Sequence, residues 1–151
     1  MTSLTPAYPT QFTFYHPIAV RYADLDTHRH VNNISILEYV ETARTAYYQA
    51  AGIWDGVTVE NMGMVVVSVK CDYLASIAFG QSVRVGLTLS VLGTKSLRFR
   101  FQVEDEQERT PFARGEVVMV SYDHFEGHSR PVPAEWRQKL AAFEHREDFL
   151  V

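Results

Sequence analysis

A chain of 151 residues, 46% hydrophobic and 21% charged, has the length and composition of one folded domain with its own core, which excludes disorder of the whole chain. A net charge of −4 speaks against nucleic acid as a partner, because such proteins present a basic face. The one cysteine, Cys71, permits no disulfide within the chain and no cysteine-rich zinc site, and no apolar run is long enough to span a bilayer. No basic segment followed by an apolar stretch opens the chain, so the cytoplasm is the expected compartment.

Residues 1–11 hold two prolines and small polar residues and read as a loose arm on a single domain covering residues 1–151. The stretch from Phe12 to Tyr22 has apolar points at Phe12, Phe14, Ile18 and Val20 and reads as a first strand, interrupted near Pro17. A polar loop follows to Asn32. Ile36, Val40, Ala43, Tyr47 and Ala50 then recur at spacings of four and three, which makes one apolar stripe on a helix from about Asn33 to Ala51. Asn32 or Asn33 caps its start and Gly52 stops it. Met64 to Tyr73 is a valine-rich strand. Ser82 to Leu92 alternates between turns at Gly80-Gln81 and Gly93-Thr94. Leu97, Phe99, Phe101 and Val103 alternate with Arg98, Arg100 and Gln102, and Glu104 to Arg109 turns the chain into a last long strand, Phe112 to Tyr122. Ala134 to His145 reads as a short C-terminal helix.

This order is α+β: one long helix against a five-stranded, mainly antiparallel sheet, its last four strands forming a meander. The tracts around Val65 to Val69 and Val117 to Val120, with Phe99 and Phe101 on one side of their strand, are too apolar for water, and a second subunit is expected to cover them.

The loop before the helix places Asp24, Asp26, His28 and His30 at alternate positions. A helix start offers unpaired N–H groups and a partial positive charge, which suits a carbonyl oxygen that becomes negative in a transition state. A carboxylate just upstream can attack that carbonyl or activate a water. Together they are the minimum for acyl transfer. Composition alone leaves a solvated loop or a helix cap as the alternative. Two Asp and two His also raise a metal site, but alternate positions on an extended segment face opposite sides, and no metal is expected.

The run Val20-Arg-Tyr-Ala-Asp-Leu-Asp-Thr-His-Arg-His-Val-Asn-Asn33, with Leu37-Glu-Tyr-Val-Glu-Thr-Ala-Arg44 behind it, resembles the 4-hydroxybenzoyl-CoA thioesterase family of hot-dog proteins over nearly the whole chain. The resemblance implies a hot-dog fold and hydrolysis of an acyl-CoA thioester. It implies Asp26 as nucleophile or general base, the backbone N–H of Asn33 as donor to the thioester oxygen, and His30 beside the carboxylate, orienting it or a water. Asp24 organises the loop. Arg29, Asn32, Lys95 and Ser96 are the residues expected at substrate and coenzyme A, the last two at its phosphates. Family members form homodimers, often paired into tetramers, with pantetheine along the subunit interface and no metal or organic cofactor. Many relatives carry Gly where this chain has Arg29, and a small residue where it has His28. Arg29 would then close part of the pocket or contact the acyl group.

Several residues keep two readings. Lys95 and Ser96 also suit a solvated hairpin tip, and Arg98 with Arg100 either adds to a phosphate patch or forms a solvent face. Glu41 is the rival carboxylate, as used by another branch of hot-dog thioesterases, or else an ion-pair partner of Arg44. Tyr22, Tyr39, Tyr47 and Tyr48, like Met62 and Met64, line an acyl pocket or fill the core. An acyl-carrier-protein thioesterase and a non-catalytic acyl-CoA-binding protein are the functional alternatives.

Overall fold

The computed structural model describes Pro9 and residues 11–151. Apart from Pro9 and Gln11, the expected arm at residues 1–11 lies outside the described residues. In chain order the elements are β1 (Phe14–Ile18), α1 (Asn33–Ala51), β2 (Met64–Tyr73), β3 (Val83–Leu92), β4 (Ser96–Asp105), β5 (Pro111–Asp123), β6 (His128–Ser129) and α2 (Ala134–Glu144).

The helix forms where the stripe and its caps place it. The Asn32 side chain accepts the Ile34 N–H, and Gly52 ends the helix at a φ of 81°, its N–H turned back to the carbonyls of Gln49 and Tyr48. The buried stripe closes on Ala51 rather than Ala50, which is exposed. Tyr47 is its centre: its ring meets Phe99 and Phe143 edge-on at 5.1 and 5.0 Å.

All strand pairs are antiparallel, in the order β1-β3-β4-β5-β2 with β6 on β5. The sheet therefore has six strands rather than five, the extra one a two-residue strand where the chain doubles back on β5. Only β3, β4 and β5 form a meander. β2 pairs with β5 at the far edge, because α1 crosses the sheet between β1 and β2 and residues 74–82 carry the chain back to β3. β1 is shorter than expected and does not break at Pro17. A proline lacks an N–H and is tolerated there because β1 is the other edge.

Alternation on β3 and β4 puts Val85, Leu87, Leu89, Leu97, Phe99 and Phe101 under α1 with no exposed surface. Each such side chain contributes roughly 1.5–3 kcal/mol of burial. The opposite face is not simply solvated. Arg98 is exposed, but Gln102 and Glu104 are buried. Arg84 lies over the Tyr15 ring and pairs with Glu104 at 2.9 Å, and Gln102 donates to the other Glu104 oxygen. Arg100 pairs with Glu116 across the β4–β5 ladder.

β2 departs most from its sequence. Its valines were expected to need cover, and the chain itself supplies little: Val66, Val67 and Val69 are exposed, Val67 by 58%. A bulge falls between Val66 and Ser68. Further along, β2 lies so close to β5 that a Cβ on Gly115 would stand 1.8 Å from the Lys70 carbonyl oxygen.

Candidate active site

The loop between β1 and α1 is built around two carboxylates with different tasks. Asp24 is buried. Its Oδ2 accepts the Tyr39 hydroxyl at 2.6 Å and the Arg21 N–H at 2.9 Å, and its Oδ1 accepts the Arg21 guanidinium. Its carbonyl takes the Asn32 N–H. Burial alone would raise its carboxyl pKa, but the hydrogen bonds from Tyr39 and Arg21 and the guanidinium charge outweigh burial and hold it below the usual range. Asp24 thus ties the loop to the second turn of α1.

Asp26 sits at the head of a tight turn. Its N–H donates to the His30 carbonyl at 2.8 Å and its own carbonyl takes the Arg29 N–H at 3.1 Å. Its Oδ1 accepts the N–H groups of His28 at 2.8 Å and His30 at 3.3 Å. Its Oδ2 has no hydrogen-bond partner among the described residues. The turn closes through Arg29 in the left-handed region, φ 63°, where L side chains are disfavoured. Arg29 therefore stands at a position whose backbone favours Gly.

Val31 donates to the Ile77 carbonyl, which pins the loop against residues 74–78. Between them lies a cleft of about 510 Å³, lined among others by Asp26, His28, His30, Asn33, Tyr73 and Ile77. The Asn33 N–H, at the first position of α1, has no acceptor among the described residues. A carboxylate with one uncommitted oxygen and a helix N-terminus with an uncommitted donor thus line one cleft. That arrangement can attack or hydrate a carbonyl and hold its oxygen as charge develops. A second hollow of about 450 Å³ opens on the other side of Asp26, lined by Tyr22, Leu25, Arg29 and Phe79. Tyr22, 81% exposed, meets Phe79 edge-on across it.

Asp26, His30 and Asn33 share the first cleft, and Arg29 is in the second. His30 contacts Asp26 through its backbone; its ring makes no hydrogen bond to the carboxylate. Asn32 is spent on capping α1. Lys95 and Ser96 are not brought to the cleft. Lys95 reaches Ser129 at 3.4 Å, and Ser96 pairs with Val120, seven positions along β5 from the Ala113 that pairs with Tyr73, roughly 23 Å of strand. Glu41 stands 74% exposed, 4.0 Å from Arg44, and does not line the cleft. Tyr39, Tyr47 and Tyr48 are core residues. Among the described residues no three His, Cys, Asp or Glu side chains are grouped as a metal would need. Tyr73, Ile77 and Phe79 line the two hollows without having been foreseen, since the long connection that carries the last two shows no pattern beyond a polar break.

Residues 20–140 match the family model of the thioesterase-like superfamily. The chain is 31% identical over 113 residues to the uncharacterized protein YsmA of Bacillus subtilis (strain 168), a match covering 74% of each. It is 27% identical over 123 residues to the long-chain acyl-CoA thioesterase FadM of Escherichia coli (strain K12), covering 82% of this chain and 93% of that one. Among solved structures, a thioesterase complexed with coenzyme A and Zn from Thermus thermophilus superposes with a TM-score of 0.79 at 34% identity, over 89% of this chain and 97% of that one.

Proposed function

The chain belongs to the thioesterase-like superfamily, and on that premise we propose that it hydrolyses acyl-CoA thioesters to the free acid and coenzyme A, with Asp26 as the reacting carboxylate. The observation that carries this reading is the uncommitted Oδ2 of Asp26 in the same cleft as the uncommitted Asn33 N–H. Oδ2 either adds to the thioester carbon or draws a proton from a water that does. The carbonyl oxygen takes the negative charge and the Asn33 N–H receives it. The C–S bond then breaks and the coenzyme A thiolate takes a proton from the water that is consumed; where Oδ2 itself added, that water cleaves the acyl–Asp26 anhydride, which frees the acid and restores the carboxylate. The His30 ring, exposed in the cleft, handles the water. Arg29 and Asn32 border the substrate.

Lys95 and Ser96 fit the reading as phosphate ligands only if they come from a second copy, because their own chain holds them at the other end of the sheet. The working unit is accordingly a homodimer, or a dimer paired into a tetramer, of one domain spanning residues 1–151. Among the described residues no helix is long and apolar enough to cross a membrane. A free Cys71 and a coenzyme A substrate suit the cytoplasm.

The test is Asp26→Asn, assayed by thiol release from a panel of acyl-CoAs. An amide oxygen at the same place can still accept the His28 and His30 N–H groups, so the turn is retained while the base is lost. Thiol release should fall at least ~10²-fold. Full activity in the variant refutes the role of Asp26, and tight acyl-CoA binding without turnover by the unsubstituted protein refutes hydrolysis.

A further inference from the structure

Asp26 borders two hollows, and a thioester has two arms. The first hollow is the cleft that also holds His28, His30, Asn33 and Tyr73. The second, about 450 Å³, has Tyr22, Leu25 and Phe79 as apolar walls and the cation of Arg29 among them. Phe79 is 59% exposed, and its ring meets Tyr22 edge-on at 6.5 Å. The Arg29 side chain is exposed and has no hydrogen-bond or ion-pair partner among the described residues. Arginines of that kind are common on any surface. This one differs in its backbone, which stands at φ 63°, where a Cβ carries a cost that Gly escapes. Strain of this kind gathers at functional sites.

The chemistry of the substrate divides the two hollows. From the thioester carbon the sulfur arm and the acyl arm leave in different directions, and a hollow lies on either side of Asp26 to take each. The sulfur arm is pantetheine. Near the thioester it carries amides and no charge, since its phosphates are at the far end. It has hydrogen bonds to make and suits the cleft with His28, His30, Asn33, Tyr73 and Ser76. A cation beside Asp26 has nothing to meet on that arm, but it can meet a charge on the acyl arm. The turn also keeps it close: the Asp26 carbonyl takes the Arg29 N–H at 3.1 Å, so the guanidinium and the reacting carboxylate spring from one turn. An acyl group with a carboxylate at its end is repelled by Asp26 at that range. A guanidinium offsets the repulsion and donates two hydrogen bonds to such a carboxylate at once. The few carbons between the two ends then lie against Tyr22, Leu25 and Phe79.

We propose that the hollow of Tyr22, Arg29 and Phe79 takes the acyl group, and that Arg29 selects short acyl groups ending in a carboxylate, the mono-thioesters of dicarboxylic acids with coenzyme A. This deepens the proposed function and rests on it. Arg29 is a specificity residue in this scheme: it holds the end of the substrate away from the thioester and takes no part in breaking the C–S bond.

The experiment compares glutaryl-CoA with pentanoyl-CoA, which have acyl chains of equal length and differ in the terminal carboxylate. Thiol release is measured for each, with uncatalysed hydrolysis subtracted. The unsubstituted protein should show a kcat/KM at least about fivefold higher for glutaryl-CoA, the gain of one ion pair. Arg29→Gln keeps a Cβ at the same φ and a polar side chain but no charge, and should abolish or invert that preference. Arg29→Lys should keep part of it. A protein that shows no preference overturns the inference, whether or not the variants fold. So does a preference that survives Arg29→Gln. A higher kcat/KM for benzoyl-CoA than for glutaryl-CoA also overturns it, because the aromatic walls and not the cation would then choose. Hydrolysis of both acyl chains without preference leaves the proposed function standing. If no acyl-CoA is hydrolysed, the proposed function fails, and calorimetric binding of glutaryl-CoA against pentanoyl-CoA, with and without Arg29→Gln, still decides the role of Arg29.

Discussion

Replacing Arg29 by Gly and by Ala separates what its backbone costs from what its side chain does. At φ 63° a residue with a Cβ is disfavoured by roughly 1–2 kcal/mol, and Gly escapes that cost but loses about 0.5–1 kcal/mol more backbone freedom on folding. The difference leaves Arg29→Gly more stable by about 0.5–1 kcal/mol, a rise in Tm of about 1–4 °C for a domain of this size. Arg29→Ala keeps the Cβ and should show no such gain. Both variants lose the guanidinium from the hollow beside Asp26, which forms no ion pair among the described residues, so both should raise KM for acyl-CoA to a similar extent. Urea denaturation measures the first effect and thiol-release kinetics the second. If Arg29→Ala gains as much stability as Arg29→Gly, the left-handed backbone is not the source. If KM stays unchanged in both, the side chain does not meet substrate and its retention at a strained position needs another cause.

Three further predictions concern the frame around the site. Tyr39→Phe removes the hydroxyl that donates to Asp24 and should cost about 1.5–3 kcal/mol, because the acceptor is ionised. Since folding lowers the Asp24 pKa, its contribution to stability is complete above the unfolded value near 3.8 and is lost as pH falls through the lower folded value. Asp24→Asn should flatten that acid limb in urea midpoints recorded across it, and an unchanged limb would assign acid sensitivity elsewhere. Gly115→Ala drives a methyl into the Lys70 carbonyl and should destabilise by roughly 1–3 kcal/mol or more, with hydrogen-exchange protection lost first in β2; retained protection would contradict the close approach of the two strands.

The helix was legible because its signals are local and agree: a cap at Asn32, a stop at Gly52 and apolar residues at helical spacing between them. The alternation of Leu97 to Val103 was legible for the same reason. Strand order was not, since nothing in Met64 to Tyr73 says which neighbour it will take, and the chain sends it to the edge beside β5. The same valines that suggest a buried strand lie exposed on that edge. Glu104 read as the start of a polar loop and is instead buried, because its partner Arg84 stands twenty residues away in sequence and opposite it in the sheet. In the site, the loop sequence indicated which residues gather, and the resemblance to a family indicated why. Neither indicated that Arg29 takes a positive φ or that Lys95 lies at the far end of the sheet, both of which depend on how the chain closes.

The turn at Asp26 has a consequence for the course of the reaction. A carboxylate ordinarily has two equivalent oxygens, exchanged by a half-rotation of its last bond. Here Oδ1 anchors the turn and Oδ2 has no hydrogen-bond partner among the described residues. If Oδ2 becomes acylated, Oδ1 is left as a carbonyl oxygen and can go on accepting the N–H groups of His28 and His30. The loop is then the same scaffold for the resting and the acylated states, and turnover proceeds without remaking the turn between one half-reaction and the next.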